Sequence, residues 1–197
     1  MRFSDSGVFN RLVAAIFKNG VKIIVITMTT PVTLLFIDKA CSLGNDEILI
    51  GIGTRLESET TRQAVESGVQ FVVSPVIKKE IIRKAQSAGV PVMPGAFTPP
   101  EVQTAWELGA DVVKILPANL LGMNFFKGIR ASMPHLKLMS TGRVFLTNAR
   151  GWIDAGACAL GVKSILLDDE AIKNKNFDQI RKNAEVLVSI LKGFKGL

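Results

Sequence analysis

Short apolar runs alternate with amphipathic segments along the whole chain. The apolar runs favour strands and lie at Val21–Thr27, Glu47–Ile52, Gln70–Ser74, Val90–Met93, Asp111–Ile115, Lys137–Met139 and Ala159–Val162. The segments between them predict helices at Val8–Asn19, Pro31–Leu43, Ser58–Ser67, Lys78–Ala88, Pro99–Leu108, Asn124–Met133 and Leu146–Ala155, with a last helix at about Phe177–Phe194. This alternation predicts an α/β fold built from βα units with parallel strands.

The strand runs also recur at a fixed interval. Thr54, Ser74, Pro94 and Lys114 lie at or just past the ends of successive runs and are 20 residues apart. A repeat of this period favours a (β/α)8 TIM barrel over an open sheet, as one domain spanning residues 1–197. Barrel chemistry lies at the carboxyl ends of the strands. The residues predicted there are Thr27, Thr29, Thr54, Ser74, Pro75, Pro94, Lys114, Thr141, Gly142 and Ser164.

The strand count is one short of a closed barrel. Seven strands are clear, and only residues 1–3 precede the first predicted helix. An open barrel edge exposes unpaired backbone groups. We therefore expect the first strand to be truncated or missing, or the gap to be covered by something outside this chain.

Composition excludes several classes of function. The net charge is +7, but the basic residues are scattered and form no stripe with aromatic residues, so an anionic small substrate is favoured over nucleic acid. One histidine, His135, and no CxxC pair argue against a metal site, and Cys41 and Cys158 are expected to be free thiols. No apolar run has membrane-spanning length and no leader pattern is present, so we expect a cytoplasmic protein.

Lys114 is the strongest candidate for chemistry. It lies inside the apolar strand run at 111–115, where a lysine is seldom buried without a reason. Burial lowers a lysine's pKa and leaves a neutral amine that can form a Schiff base with a carbonyl group. The alternative is a lysine whose stem packs while its amine reaches solvent, and position alone does not separate the two.

Several phrases resemble one known family in order and spacing. They are GVKIIVITMTTP, ILIGIGT, AVESGVQFVVSP, VPVMPGAFTPPE, LGADVVKILPANLLG, STGRV and AGACALGVKS. Over nearly the whole chain, the sequence is similar to the KDPG/KHG aldolases, class I enzymes that cleave 2-keto-3-deoxy-6-phosphogluconate and 4-hydroxy-2-oxoglutarate. The resemblance implies a trimeric (β/α)8 barrel that needs no cofactor, with Lys114 forming the Schiff base with pyruvate.

The resemblance also implies a substrate-binding role for further residues. Thr54 matches the threonine that contacts the pyruvate carboxylate. Pro75 and the pair Pro94 and Gly95 match the wall of the same pocket. The loops that hold the substrate's distal phosphate or carboxylate are matched by Thr141, Gly142 and Ser164. Ordinary turn geometry is the alternative explanation for these glycines and prolines.

The sequence departs from the family pattern at one position that matters for the reaction. Val25 replaces the glutamate that serves as general acid/base, a role typically worth 10²- to 10⁴-fold in rate. Three further changes, Arg55, Arg143 and Lys163, place cations near the expected rim. A positive rim would attract anionic substrates. Arg143, however, is bulky at a position where a glycine would let the phosphate approach the backbone closely. Neutral drift or deliberate substitution is the alternative explanation for these changes.

Two functions remain open from the sequence. The first is a class I aldolase, weakened by the missing glutamate, that releases pyruvate and an aldehyde from a 2-keto-4-hydroxy acid. The second is an inactive trimeric scaffold or small-anion binder of the same fold that keeps Lys114 by descent. Val25 favours the second function, whereas Lys114, Thr54 and Ser164 favour the first.

Overall fold

The computed structural model describes residues 6–27, 37, 48–54 and 57–192 of the chain. The chain divides by its internal contacts into two compact units. The first unit comprises Met1–Asn10 and Lys22–Val113, and the second comprises Arg11–Val21 and Lys114–Leu197. The expected truncation of a first strand falls on residues 1–5, outside the described residues, and the single-domain expectation stays a prediction.

The described residues contain strands and helices in near-strict alternation. The first nine elements are α1 (Ser6–Phe17), β1 (Ile23–Thr27), β2 (Leu49–Gly53), α2 (Ser58–Glu66), β3 (Phe71–Val73), α3 (Lys79–Ser87), β4 (Val92–Met93), β5 (Gly95–Ala96) and α4 (Pro99–Glu107). The remaining elements are β6 (Val113–Ile115), α5 (Ala118–Ser132), β7 (Leu138–Thr141), α6 (Ala149–Asp154), β8 (Ala157–Gly161), α7 (Asp169–Lys173) and α8 (Phe177–Leu191). Each of the predicted strand runs contains a strand, so the α/β prediction is confirmed.

Three differences from the predicted elements have physical causes. The strand predicted at 90–93 is observed as β4, and a second short strand, β5, begins directly after Pro94. Pro94 separates the two strands because it has no N–H to donate to a ladder. Helix α5 begins before Asn124, because a first turn precedes Gly122, whose non-helical angles (φ 76°, ψ 172°) interrupt the helix. The short helix α7 is additional and is capped by the carboxylate of Asp168.

The predicted helix at 31–43 lies outside the described residues, except for Ile37, which is buried.

Strands β1 to β4 form a four-stranded sheet in chain order, and all of their pairings are parallel. One face carries the register row Ile26, Ile52, Val72 and Val92, whose side chains are at most 8% exposed. Helices α2 and α3 lie side by side and contribute buried apolar residues to the first unit. Continuous burial along the row is typical of a parallel sheet covered by helices.

Two polar side chains extend the ladder of this sheet. Gln70 donates its backbone N–H to the carbonyl of Ile50 (2.8 Å), and its side-chain Oε1 accepts the Ile50 N–H (2.8 Å). Asp111 does the same for Val92, with distances of 3.1 and 2.8 Å. Each polar residue lies two positions after the glycine that follows a helix, so the repeated phrase of the sequence has a repeated structural role.

The later strands form a second sheet in the order β5-β6-β7-β8. Within the second unit, β7 and β8 pair in parallel with an irregularity between Leu138 and Met139. The core of this unit includes Phe126 and Trp152, whose rings meet edge to face with centroids 5.3 Å apart. Strands β7 and β8 end at the same level, because their last residues, Thr141 and Gly161, are in register.

Gly51 provides a test of this packing. A Cβ at Gly51 would collide with the buried ring of Phe71 on the neighbouring strand. We expect Gly51→Ala to lower the free energy of unfolding by about 1–3 kcal/mol, measured by urea denaturation. The matched control is Gly128→Ala in α5, where an added Cβ meets nothing within 4 Å, and it should raise stability by about 0.5–1 kcal/mol. Unchanged stability of Gly51→Ala would contradict the packing.

Candidate active site

Lys114 lies in the middle of β6. Its neighbours Val113 and Ile115 are fully buried, and Lys114 points to the opposite face of the strand, where it is partly buried. Burial lowers the pKa of Lys114, because desolvation disfavours the charged ammonium. A larger fraction of this lysine is therefore a neutral, nucleophilic amine than of a lysine in water.

The loop after β7 packs on the turn that follows Lys114. A Cβ on Gly142 would lie 2.9 Å from Oδ1 of Asn119 and 3.3 Å from Cα of Pro117. Gly142 also has a φ of +116°, which side chains rarely adopt. Glycine is therefore required here both by conformation and by the close approach of the backbone.

Thr141 closes β7 immediately before that glycine. Its hydroxyl oxygen is buried, and among the described residues it has no hydrogen-bond partner. Thr141 is in register with Gly161 of β8, where an added Cβ would collide with the threonine side chain. Ser164 lies in the turn after β8 and is exposed, as is Lys163 beside it. The second unit thus places Lys114, Thr141, Gly142 and Ser164 at or beyond the carboxyl-terminal portions of β6, β7 and β8.

The first unit carries the other predicted substrate-binding residues. Thr54 follows β2 and has a φ of +70°, an outlier for a β-branched residue. A Cβ on Gly95 would collide with the Pro75 backbone, so the turn after β3 packs against β5. Pro94 is buried between β4 and β5. These residues all follow the carboxyl ends of strands, as the sequence predicts, whereas Arg55 and Thr29 lie outside the described residues.

Val25 lies in the middle of β1, at the position where the family resemblance predicts a glutamate. It pairs with Gly51, and its Cγ1 lies 2.8 Å from where a Cβ of Gly53 would be. The side chain is 43% exposed, unlike the following Ile26, which is 8% exposed on the other face. Space and solvent are therefore available for a longer side chain at this position.

Two structural features of the site were not predicted from the sequence. The first is the left-handed φ of Arg143, 46°. Together with Thr54, Arg143 is one of two non-glycine residues that lie within two positions of a strand end and have a strained backbone. The side chain of Asn148 donates to the Arg143 carbonyl (3.0 Å) and accepts the N–H of Phe145 (2.7 Å). The sequence signal available for this contact was an asparagine directly before a helix, but that pattern predicts an ordinary helix cap and not a bond to the preceding loop.

Two features are absent from the described part of the chain. Within residues 6–27, 37, 48–54 and 57–192, no group of three or more His, Cys, Asp or Glu side chains could hold a metal ion. In the same ranges, no helix is long and apolar enough to cross a bilayer.

Comparison with known proteins gives matches along most of the chain. The family model for KDPG and KHG aldolase matches residues 2–183. The chain is 34% identical to the 2-dehydro-3-deoxy-6-phosphogalactonate aldolase of Escherichia coli K12, over 78% of this chain and 76% of that enzyme.

Two solved structures are also similar. One is a KDPG aldolase from Legionella pneumophila with pyruvate captured as a covalent carbinolamine intermediate (TM-score 0.87, 25% identity, 94% and 90% of the two chains). The other is a designed cube-shaped cage made by fusing symmetric oligomeric domains (TM-score 0.88, 28% identity, 96% and 69% of the chains). The sequence, the parallel α/β fold and these matches agree, and the chain belongs to the KDPG/KHG aldolase family.

Proposed function

We propose that this protein is a class I aldolase that cleaves a 2-keto-4-hydroxy acid, either KDPG or KHG, into pyruvate and an aldehyde. The observation that carries the proposal is Lys114, a strand lysine at the family's Schiff-base position whose pKa is lowered by burial. The carbinolamine trapped in the Legionella enzyme is the intermediate that such a lysine would form with pyruvate.

The reaction needs only the chain's own groups and solvent water. The amine of Lys114 attacks the C2 carbonyl, and loss of water from the carbinolamine gives an iminium ion. Solvent water takes the C4 hydroxyl proton, the C3–C4 bond breaks, the electron pair moves into the iminium to form an enamine, and the aldehyde leaves. Protonation at C3 and hydrolysis then release pyruvate and restore the amine. The proposal involves no metal ion or organic cofactor, since the iminium is the electron sink.

Residues of each unit have assigned roles in substrate binding. Thr54 binds the pyruvate carboxylate, while Pro75, Pro94 and Gly95 form the pocket wall. The loop residues Thr141, Gly142 and Ser164 bind the distal phosphate or carboxylate. The unpaired, buried hydroxyl of Thr141 supports this role, because a ligand oxygen would supply its missing partner. Exposed Arg143 and Lys163 add positive charge beside the same loops.

Val25 makes this aldolase slow. Both the C4 hydroxyl and C3 require proton transfer, and valine can neither donate nor accept a proton. The same substitution is the observation that favours the second candidate function, an inactive trimeric scaffold or small-anion binder. The two functions differ in one measurable property, since only an aldolase turns over a 2-keto-4-hydroxy acid.

The proposed assembly is a cytoplasmic homotrimer of (β/α)8 barrels, each formed by one chain as a single domain. Large apolar side chains are exposed in both units, including Val76 (50%) and Leu120 (71%), and burial in an interface would remove them from water. The likeness to a cage built from symmetric oligomeric domains also supports self-association.

Imine trapping tests the role of Lys114 directly. We expect pyruvate and borohydride to add one pyruvate unit to Lys114, located by peptide mass spectrometry. The trapping rate should rise with pH through an inflection below the ordinary lysine pKa, because the neutral amine is the nucleophile. Lys114→Met should abolish the adduct, whereas Lys79→Met, which removes an exposed lysine, should keep it. An adduct distributed over surface lysines would count against the proposed nucleophile.

Restoring a carboxylate at position 25 tests the missing proton transfer. We expect Val25→Glu to raise turnover of 2-keto-4-hydroxyglutarate by at least about 10-fold, a modest part of a general-base contribution. The matched control is Ile23→Glu. It adds the same charge to the same face of β1, two residues earlier in the strand, at a position that is 58% exposed. If Val25→Glu folds and traps pyruvate yet turns over no faster than Ile23→Glu, the missing carboxylate is not the limiting defect.

The mass in solution tests the proposed assembly. Multi-angle light scattering at micromolar concentration should give about three times the 21.3 kDa of one chain, and the mass should hold across a ten-fold dilution. A mass of one chain throughout that range would overturn the trimer while leaving the aldolase proposal intact.

A further inference from the structure

The side chain of Asn148 serves the loop before it rather than the helix after it. Asn148 is the N-cap residue of α6, but its side chain makes no bond to a helix amide. Its amide group instead bridges the carbonyl of Arg143 (3.0 Å) and the N–H of Phe145 (2.7 Å). By contrast, Asn176 at the start of α8 makes the usual cap by accepting the N–H of Gln179 (3.1 Å). Asn148 thus forgoes the stabilising cap that an asparagine at this position usually makes.

The bridged segment is held in a strained conformation. Arg143 has a left-handed φ of 46°, a conformation that residues other than glycine seldom adopt. Backbone bonds also close the loop, because Phe145 O accepts the N–H groups of Asn148 (3.0 Å) and Ala149 (2.8 Å). The hydrogen bond to the Arg143 carbonyl fixes the peptide group that follows the strained residue. The strained conformation can persist because these hydrogen bonds hold the peptide group in place.

The other end of the loop is fixed by packing. Gly142 lies directly against Pro117 and Asn119, in the turn that follows the Lys114 strand. The β7–α6 loop, defined as residues 142–148, is therefore held at one end by that turn and at the other by the side chain of Asn148. Arg143, the second residue of the loop, has an exposed side chain. A loop fixed at both ends presents its backbone groups in a single geometry before any ligand binds.

We propose that Asn148 is a positioning residue for the distal-anion site of the substrate. It touches no reacting atom but keeps the backbone of Gly142 and Arg143 in the geometry that receives the phosphate or carboxylate. The inference rests on the proposed function, in which this loop binds the distal anion. Pre-organisation of this kind improves affinity because the ordering entropy is lost on folding rather than on binding.

Two substrates separate this role from a general structural one. Pyruvate has a keto group but no distal anion, whereas KDPG has both, and each can be trapped by borohydride as its imine with Lys114 even when turnover is slow. In Asn148→Ala we expect the half-saturating concentration of KDPG in trapping to rise about 10-fold, while that of pyruvate changes less than two-fold. Asn148→Asp should resemble Asn148→Ala, since its carboxylate accepts from Phe145 but cannot donate to Arg143. Asn176→Ala, which removes an ordinary cap, should leave both concentrations unchanged.

Hydrogen exchange tests the loop without any ligand. The amide of Phe145 should exchange at least about 10-fold faster in Asn148→Ala than in the parent protein or in Asn176→Ala, because its acceptor is lost. The effect of Asn148→Ala on KDPG should be smaller in an Arg143→Gly background, since glycine adopts the left-handed conformation without strain.

The outcomes distinguish the two proposals. Unchanged exchange at Phe145, or an equal loss of affinity for pyruvate and KDPG, overturns the positioning role of Asn148 while trapping in the parent chain still supports the aldolase. If the parent chain traps neither keto acid at Lys114, the proposed function fails, and the substrate role of Asn148 fails with it.

Discussion

The parallel register of β1 to β4 is the constraint on which the rest of the first unit depends. A shift of one residue would exchange the two faces of a strand and would turn the buried row through Ile52 and Val72 away from the helices. The same register brings Gly51 beside Phe71 and leaves Val25 on the less covered face. It also fixes the height at which each strand ends, and so the positions of Thr54 and Pro75. The arrangement of these proposed binding residues is a consequence of backbone pairing more than of contacts between the residues themselves.

Much of the fold could be predicted because local and periodic signals agree. The apolar runs, the 20-residue interval and the glycine after each helix all point to βα units, and the helix at 58–67 is correct to within one residue. The interruption at Pro94 and the extra turn before Gly122 were not predicted, because a proline and a glycine with non-helical angles override the strand and helix periodicity at these points. Lys114 could be selected from the sequence, since a lysine within an apolar strand is conspicuous.

The role of Asn148 could not be predicted from the sequence. Its sequence context is that of a helix cap, and only the three-dimensional path of residues 143–145 brings other partners closer than the helix amides. The strain at Thr54 and Arg143 was equally hidden, because φ depends on the whole loop and not on residue type. Local sequence thus predicts the helices and strands well. It predicts poorly where a loop residue is held in an unfavourable backbone conformation.

Val25 and Lys114 bear on different steps of the proposed reaction. Burial lowers the pKa of Lys114 without help from another ionisable residue, so imine formation in the proposed reaction does not depend on a carboxylate at position 25. Proton transfer requires an ionisable group placed against the substrate, and valine is not one. In the proposed reaction, carbonyl capture and bond cleavage therefore depend on different residues.

The left-handed conformations of Thr54 and Arg143 place stability and binding in opposition. Glycine at either position would relieve strain of roughly 1–2 kcal/mol. Such a change would also loosen a loop that the proposed function keeps rigid. A directed-evolution campaign that selects only for heat resistance would therefore enrich glycine at these two sites. At position 54 that change would also remove the hydroxyl that the proposed function uses, whereas alanine at Gly128 would improve heat resistance without that trade-off.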